Sequence, residues 1–286
     1  MAYAPNRFGE VTVELEKHTH LGKATEYPEE YSPSWLTPIP RAKSRETLGL
    51  SGKPDFVGED LWNGYELSWL NSKGKPEVAL GVFRIRCDSL NIIESKSFKL
   101  YLNSFNQSRF TSREEVEALM RKDLSAAAQG EVSVTLLSVT DWRDEPSFWR
   151  DAENLDVLDI DVDVYTPDAS LLPDPVGDDV VEETLSSDLL KSNCPVTGQP
   201  DWATLYIHYR GKPLEKAALL KYIVSMRSHQ DFHEHCVESV YLTLMQRYQP
   251  EKLAVYARYT RRGGLDINPL RSNYPLAADN FKLPRQ

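Results

Sequence analysis

The apolar residues of this chain run twice through one order (two strands, two helices, two strands), and that repeat leaves few folds open. In the first round, residues 62–70 and 77–87 read as strands joined by a turn at Asn71–Pro76. Phe98, Tyr101, Leu102 and Phe105 then fall at i, i+3, i+4 and i+7, one apolar stripe of a helix. A second helix starts at Ser112, with Glu115 placed for a capping box, and runs through Val116, Leu119, Met120, Leu124 and Ala127 to a stop at Gly130. Strands are expected at 131–139 and at 155–164, where Leu158, Ile160, Val162 and Val164 alternate with Asp159, Asp161 and Asp163. The second round places strands at 180–191 and 202–210, helices at 214–227 and 234–248, and strands at 252–260 and around 265–268. The expectation is an α+β chain of two tandem ββααββ modules with antiparallel sheets, at 61–165 and 180–286. A Pro- and Gly-bearing linker at 166–179 joins them, and residues 1–60, which lack a sustained period, read as an extended arm packed onto the modules.

Charge narrows the partners. The 286 residues carry a net charge of −10, but residues 151–188 alone hold thirteen Asp and Glu with no Lys or Arg. The other 248 residues therefore carry 33 basic and 30 acidic groups. The total disfavours direct nucleic-acid binding, while the distribution leaves the second half able to attract a small phosphorylated ligand. No apolar run approaches the ~20 residues that span a bilayer and the start has no signal-peptide core, so a cytoplasmic protein without membrane contact is expected.

Few motifs carry chemistry. Asp159-x-Asp161-x-Asp163 imitates the start of a calcium loop, but Val164 and Ser170 stand where glycine and glutamate are needed. His233 and His235, at i and i+2 of a helix, point ~200° apart and make a poor metal clamp. No metal is expected. Cys87 and Cys236 read as small buried hydrophobes, whereas Cys194 lies in a Pro- and Gly-flanked loop with Asp201 seven residues on. A thiolate and a carboxyl proton donor suit addition to an electrophilic carbon. Glu94 and Glu234 each precede an apolar-striped helix, at matching places in the two modules on this reading, which suggests ligand handling at the seam between them. There is neither a G-x-G-x-x-G after a strand nor a P-loop.

These segments resemble a known family. Glu94-Ser-Lys-Ser-Phe-Lys-Leu-Tyr101 is similar to the signature of the NADPH-dependent 7-cyano-7-deazaguanine reductases, the nitrile reductases of queuosine biosynthesis in tRNA modification. Cys194-Pro-Val-Thr-Gly-Gln-Pro-Asp201 resembles that family's nucleophile loop, Phe232-His233-Glu234 its third segment and Arg261-Arg262-Gly263 a later cofactor-contact segment. Signature and cysteine fall in different modules, as in the long, bimodular subgroup. The resemblance implies a tunnelling fold (T-fold), a likeness running from about residue 60 to 275, and a homodimer. It implies reduction of the nitrile to a primary amine with two NADPH, through a covalent thioimide on Cys194, with Asp201 moving protons and His233 beside the reacting carbon. By the same carry-over Ile92, Ile93, Glu94, His233 and Glu234 would hold the small 7-deazaguanine substrate, and Ser95, Lys96, Arg262 and Gly263 the NADPH.

Two other classes remain open on the residues alone. A pterin- or purine-handling hydrolase or cyclase would need a histidine-rich metal set or an oriented His–Asp pair, and a zinc-dependent activity that survives loss of Cys194 would mark it. A non-catalytic purine-binding protein would bind the ring without consuming NADPH.

Overall fold

The computed structural model describes residues 27–28, 30–175 and 177–286, so the first 26 residues of the expected arm lie outside the described residues. A short strand β1 (Pro38–Pro40) and a helix α1 (Arg41–Thr47) precede the long hairpin of β2 (Val57–Leu70) and β3 (Pro76–Arg86). Then come β4 (Asn91–Ile93), α2 (Ser95–Asn103), α3 (Arg113–Ala128) and β5 (Val132–Leu137). The second half runs β6 (Glu153–Asn154), β7 (Val181–Asn193), β8 (Pro200–Gly211), α4 (Lys216–Ser225), α5 (His233–Tyr248), β9 (Lys252–Tyr259) and β10 (Leu265–Ser272).

Eight of these strands form one sheet in the order β5-β3-β2-β10-β9-β8-β7-β6, and β1 pairs with β4 apart from it. Every neighbour in the large sheet is antiparallel except β6, which lies parallel on the edge of β7. Strand alternation sends successive side chains to opposite faces. Trp62 and Phe83 share a core with Phe98 and Tyr101 of α2 and Val116 and Met120 of α3, while Leu205, Ile207 and Val255 meet α4 and α5 through Leu219, Ile223 and Val240. The opposite parity, Leu61, Tyr206, Tyr256 and Leu270, packs under Trp149, Ala278 and Phe281 from the connecting segment and the C-terminal tail. The two halves join where β2 pairs with β10 along its length. Glycine is required there at residue 58. With φ at +144°, a Cβ would stand 2.0 Å from the Leu270 carbonyl oxygen.

Three expectations need correcting. Residues 155–164 do not form a strand: Leu155–Val157 is a turn of 3-10 helix and the remainder is irregular. Leu158 and Ile160 do pack on the core. However, the Asp156 carboxylate takes the Asp188 N–H (2.7 Å) and the Ser187 hydroxyl (2.5 Å) beside β7, where a pairing strand would bring backbone carbonyls. Apart from the short β1, α1, β4 and β6, the first half is thus ββααβ, and the second alone has the full ββααββ order. Regular structure also begins earlier than Trp62, because β1 and α1 lie within the expected arm and β2 starts at Val57. A seven-residue helix offers too short a period to read, and α1 is held by buried Arg41 and Arg45 rather than by an apolar stripe. Finally, Glu94 and Glu234 do not occupy matching places. Glu94 is the N-cap of α2, the first helix of its pair, whereas Glu234 lies in the first turn of α5, the second helix of its pair. The counterpart of Glu94 is Glu215, the N-cap of α4.

Candidate active site

Cys194 directly follows β7 and opens a tight turn. Its N–H donates to the Gln199 carbonyl at 2.9 Å and its own carbonyl accepts from Gly198 N–H at 3.0 Å. Gly198 has φ of +66°, a conformation that glycine adopts without strain. The turn returns the chain into β8, where Asp201 is the second residue. His233 opens α5, and its imidazole stacks on the Tyr259 ring of β9, with centroids 3.9 Å apart and planes at 25°. Asp201 bridges two elements: Oδ2 lies 3.3 Å from His233 Nε2 and Oδ1 lies 3.2 Å from Arg262 Nη1. Arg262 comes from the β9–β10 turn and also donates to Gln199 Oε1 at 3.2 Å.

The first half brings the start of α2 to the same place. Ile93, Glu94 and Ser95 line one cavity with Cys194, Asp201, His233, Glu234 and Arg262. The Glu94 carboxylate accepts the backbone N–H of Lys96 at 2.8 Å and of Ser97 at 2.7 Å, capping the helix. Burial nevertheless pushes its carboxyl above the usual range, more than these bonds and the nearby Lys96 and Arg262 charges pull it down. Glu234 is 3 % exposed, and no cation or hydroxyl among the described residues lies within bonding distance of its carboxylate. Burial, and then the charge of Asp60, push it up, opposed by His233 and Arg41. Two carboxylates that face a largely closed cavity, each penalised for its charge, suit a planar ligand that presents N–H donors.

The three thiols part company here. Cys194 lines the cavity. Burial pushes the Cys236 thiol up to about 12 and raises that of Cys87, so neither is poised to act as a thiolate at neutral pH.

The void enclosed by the lining side chains is about 20 Å³, room for roughly one water. A bicyclic ring therefore enters only if a side chain moves. Arg262 is the exposed member of the lining, and its contacts to Asp201 and Gln199 tie the β9–β10 turn to the cysteine loop across the cavity. Its guanidinium, 38 % exposed, also fits the anionic part of a cofactor.

Of the residues proposed from sequence, three do not line the cavity. Ile92 is buried in the β4 pairing with Ile39, Lys96 contributes its backbone N–H to the Glu94 cap, and Gly263 packs against Lys99. Sequence reasoning missed Pro195, Asp231, Phe232 and Ile267 as lining residues. Asp231 carried a local signal, since it precedes His235 by one helical turn and lies 3.2 Å from its Nδ1.

The chain matches two family models: "Nitrile reductase, 7-cyano-7-deazaguanine-reductase N-term" over residues 27–136 and "QueF-like protein" over residues 200–276. It is 54 % identical over 272 residues to the NADPH-dependent 7-cyano-7-deazaguanine reductase of Burkholderia multivorans, covering 94 % of this chain and 99 % of that one. The enzyme of the same name from Burkholderia vietnamiensis is 54 % identical over 271 residues, with the same coverage. Among solved structures, the archaeosine synthase QueF-Like in its apo form aligns with 35 % of this chain at a TM-score of 0.30 and 15 % identity, too slight a likeness to carry an argument.

Proposed function

The chain belongs to the NADPH-dependent 7-cyano-7-deazaguanine reductases, oxidoreductases that act on a nitrile, and from that premise we propose that the cavity between α2, α5 and the cysteine loop is where the nitrile is reduced. One observation carries the reading: a thiol, a His–Asp pair and two buried carboxylates, drawn from both halves of the chain, converge on a single cavity.

A nitrile is a poor hydride acceptor, and addition of a thiol makes it a better one. The Cys194 sulfur adds to the nitrile carbon, and the thiol proton passes to the nitrile nitrogen, leaving a thioimide. Asp201, bridged to His233, moves that proton. NADPH, when bound, supplies hydride. Each of two hydrides is matched by one proton delivered through Asp201. After the first, the C–S bond breaks, the thiol is restored and an imine remains; the second gives the primary amine. Per nitrile, two NADPH and two protons are consumed. Glu94 and Glu234 accept the ring's N–H and amino donors, and the stacked His233 stays beside the reacting carbon. Arg262 and Ser95 meet the cofactor at the cavity edge, and Lys96 and Gly263, next to them in the chain, extend that contact. Arg262 therefore exchanges its bond to Asp201 for one to an anionic cofactor, which frees Asp201 to act.

The same reading takes the fold as a T-fold built of two tandem modules, at 61–165 and 180–286, that pairs as a homodimer in the cytoplasm and acts in queuosine biosynthesis. The ββααββ order of the second half and the antiparallel sheet support it. The test is direct. Mixing the protein with 7-cyano-7-deazaguanine and following NADPH absorbance should show two NADPH oxidised per nitrile, and a zinc-dependent activity retained by Cys194→Ala would support a hydrolase instead.

A further inference from the structure

Beneath the cavity lies a chain of buried charges that none of the catalytic steps uses. Arg45 on α1 grips Glu238 on α5 with two bonds, Nε to Oε2 at 3.0 Å and Nη2 to Oε1 at 2.8 Å. Arg271 on β10 joins Glu238 (Nε to Oε1, 2.9 Å) to Asp60 on β2 (Nη1 to Oδ1, 2.8 Å). Asp60 in turn holds Arg41 Nη2 at 2.5 Å. All five are at most 6 % exposed. They comprise three cations and two anions, so the set carries one uncompensated positive charge, a state that a buried cluster does not tolerate cheaply.

The register of the two helices shows where the balance lies. Arg41 and Arg45 are four residues apart on α1, and Glu234 and Glu238 are four residues apart on α5, so each pair lies along one helical face. The Arg45–Glu238 rung is closed. The other rung has a buried donor, Arg41 Nη1, with no hydrogen-bond partner among the described residues, and an acceptor, Glu234, without a cation at bonding distance. Arg41 otherwise spends its donors on Ser89 Oγ and Asp60.

We propose that Arg41 is the positioning residue for Glu234: its free guanidinium edge holds the carboxylate ionised and turned toward the cavity, where it accepts hydrogen bonds from the heterocycle. The N-terminal segment thereby sets substrate affinity without touching the substrate. Glu234 shares the cavity with Glu94 on α2, Asp201 on β8, Asp231, His233 and Arg262, and the further charges acting on it are Arg41 on α1, Asp60 on β2 and His235 on its own helix. Asp60 is the anion among them that opposes ionisation most, and Arg41, ion-paired to Asp60, favours it. The proposal rests on the assignment of Glu234 to the heterocycle, and the test separates the two.

Affinity for 7-cyano-7-deazaguanine is measured by calorimetry in a Cys194→Ala background, so that only non-covalent binding is read, for Arg41→Lys, Glu234→Gln and the double variant. Arg41→Lys keeps the charge and loses the fork, so it should fold and bind about ten-fold more weakly when Glu234 is present, with little further loss in the Glu234→Gln background. In Arg41→Met, where the counter-charge is gone, the rise of affinity with pH should move to higher pH than in the parent. A merely structural arginine would give additive losses and no change in the pH profile, and either result overturns the proposal. If Glu234→Gln weakens binding while both Arg41 variants match the parent, the positioning role falls and the functional reading stands. If the Cys194→Ala parent does not bind the heterocycle, both fall.

Discussion

Glu94 does two jobs at once, and the structure supplies a control that separates them. Its carboxylate caps α2 through the N–H groups of Lys96 and Ser97 while also lining the cavity. Glu215 caps α4 in the same way, accepting from Ala217 N–H at 3.2 Å and Ala218 N–H at 2.5 Å, but lies outside that cavity. Replacing either by alanine removes two charge-assisted bonds at a helix start, at a cost of about 0.5–2 kcal/mol. Burial offsets part of this at Glu94, because its charge is disfavoured there, so Glu94→Ala should sit toward the lower end of that range. Substrate affinity is where the two part. Glu94→Ala leaves a ring donor unpaired in a closed site, worth roughly 1–3 kcal/mol or about 5- to 150-fold in the dissociation constant. Glu215→Ala should leave affinity unchanged. Urea denaturation followed by circular dichroism reads the first effect and calorimetry with 7-cyano-7-deazaguanine reads the second. Equal affinities in the two variants would reduce Glu94 to a helix cap and remove it from the substrate site.

Three further outcomes follow from particular contacts. Arg262→Ala should raise the KM for NADPH far more than that for NADH, since a guanidinium rewards the 2′-phosphate; equal effects would move the cofactor site elsewhere. Asp201→Asn, measured by steady-state kinetics, should lower kcat by about 10²–10⁴-fold while leaving substrate affinity within a few-fold, because an amide cannot deliver the protons; retained kcat would discard Asp201 as the proton carrier. Glu238 is the acid-sensitive group: burial opposes its charge, yet Arg271 and Arg45 outweigh burial and hold its carboxyl far below the usual range. Its contribution is therefore complete above the unfolded pKa near 4 and is lost as pH falls toward the folded value. Glu238→Gln should cost about 3–5 kcal/mol at neutral pH and flatten the acid limb of stability against pH, read by chemical denaturation at several pH values; an unchanged acid limb would contradict the pairing.

What the sequence could reveal followed the range of each interaction. The Cys194–Asp201 loop was legible because a thiol between Pro195 and Gly198 stands out where a packing cysteine is not expected. The stripes of α2, α3, α4 and α5 were legible because each buries a long apolar face. Alternation at 155–164 turns Leu158 and Ile160 inward but cannot say whether a partner strand exists, and the Asp156 carboxylate takes the Asp188 N–H and the Ser187 hydroxyl of β7. The capping role of Glu94 was hidden because glutamate is not a preferred N-cap, which is also why its false match with Glu234 looked sound. Helix α1 was invisible for a different reason. Its stability comes from Asp60 and Glu238, residues 19 and 193 positions from their partners Arg41 and Arg45 in the chain, and no local pattern records such a pairing.

The central claim is that Cys194 is the atom donor to the nitrile carbon, and it is tested most directly without any NADPH. The protein incubated with 7-cyano-7-deazaguanine alone should gain the mass of one intact substrate molecule, since addition expels nothing, and peptide mapping should place that mass on the segment holding Cys194. Cys194→Ala should show no adduct, while Cys87→Ala and Cys236→Ala should show it in full. An adduct that persists in Cys194→Ala, or one that maps to another residue, would contradict the account.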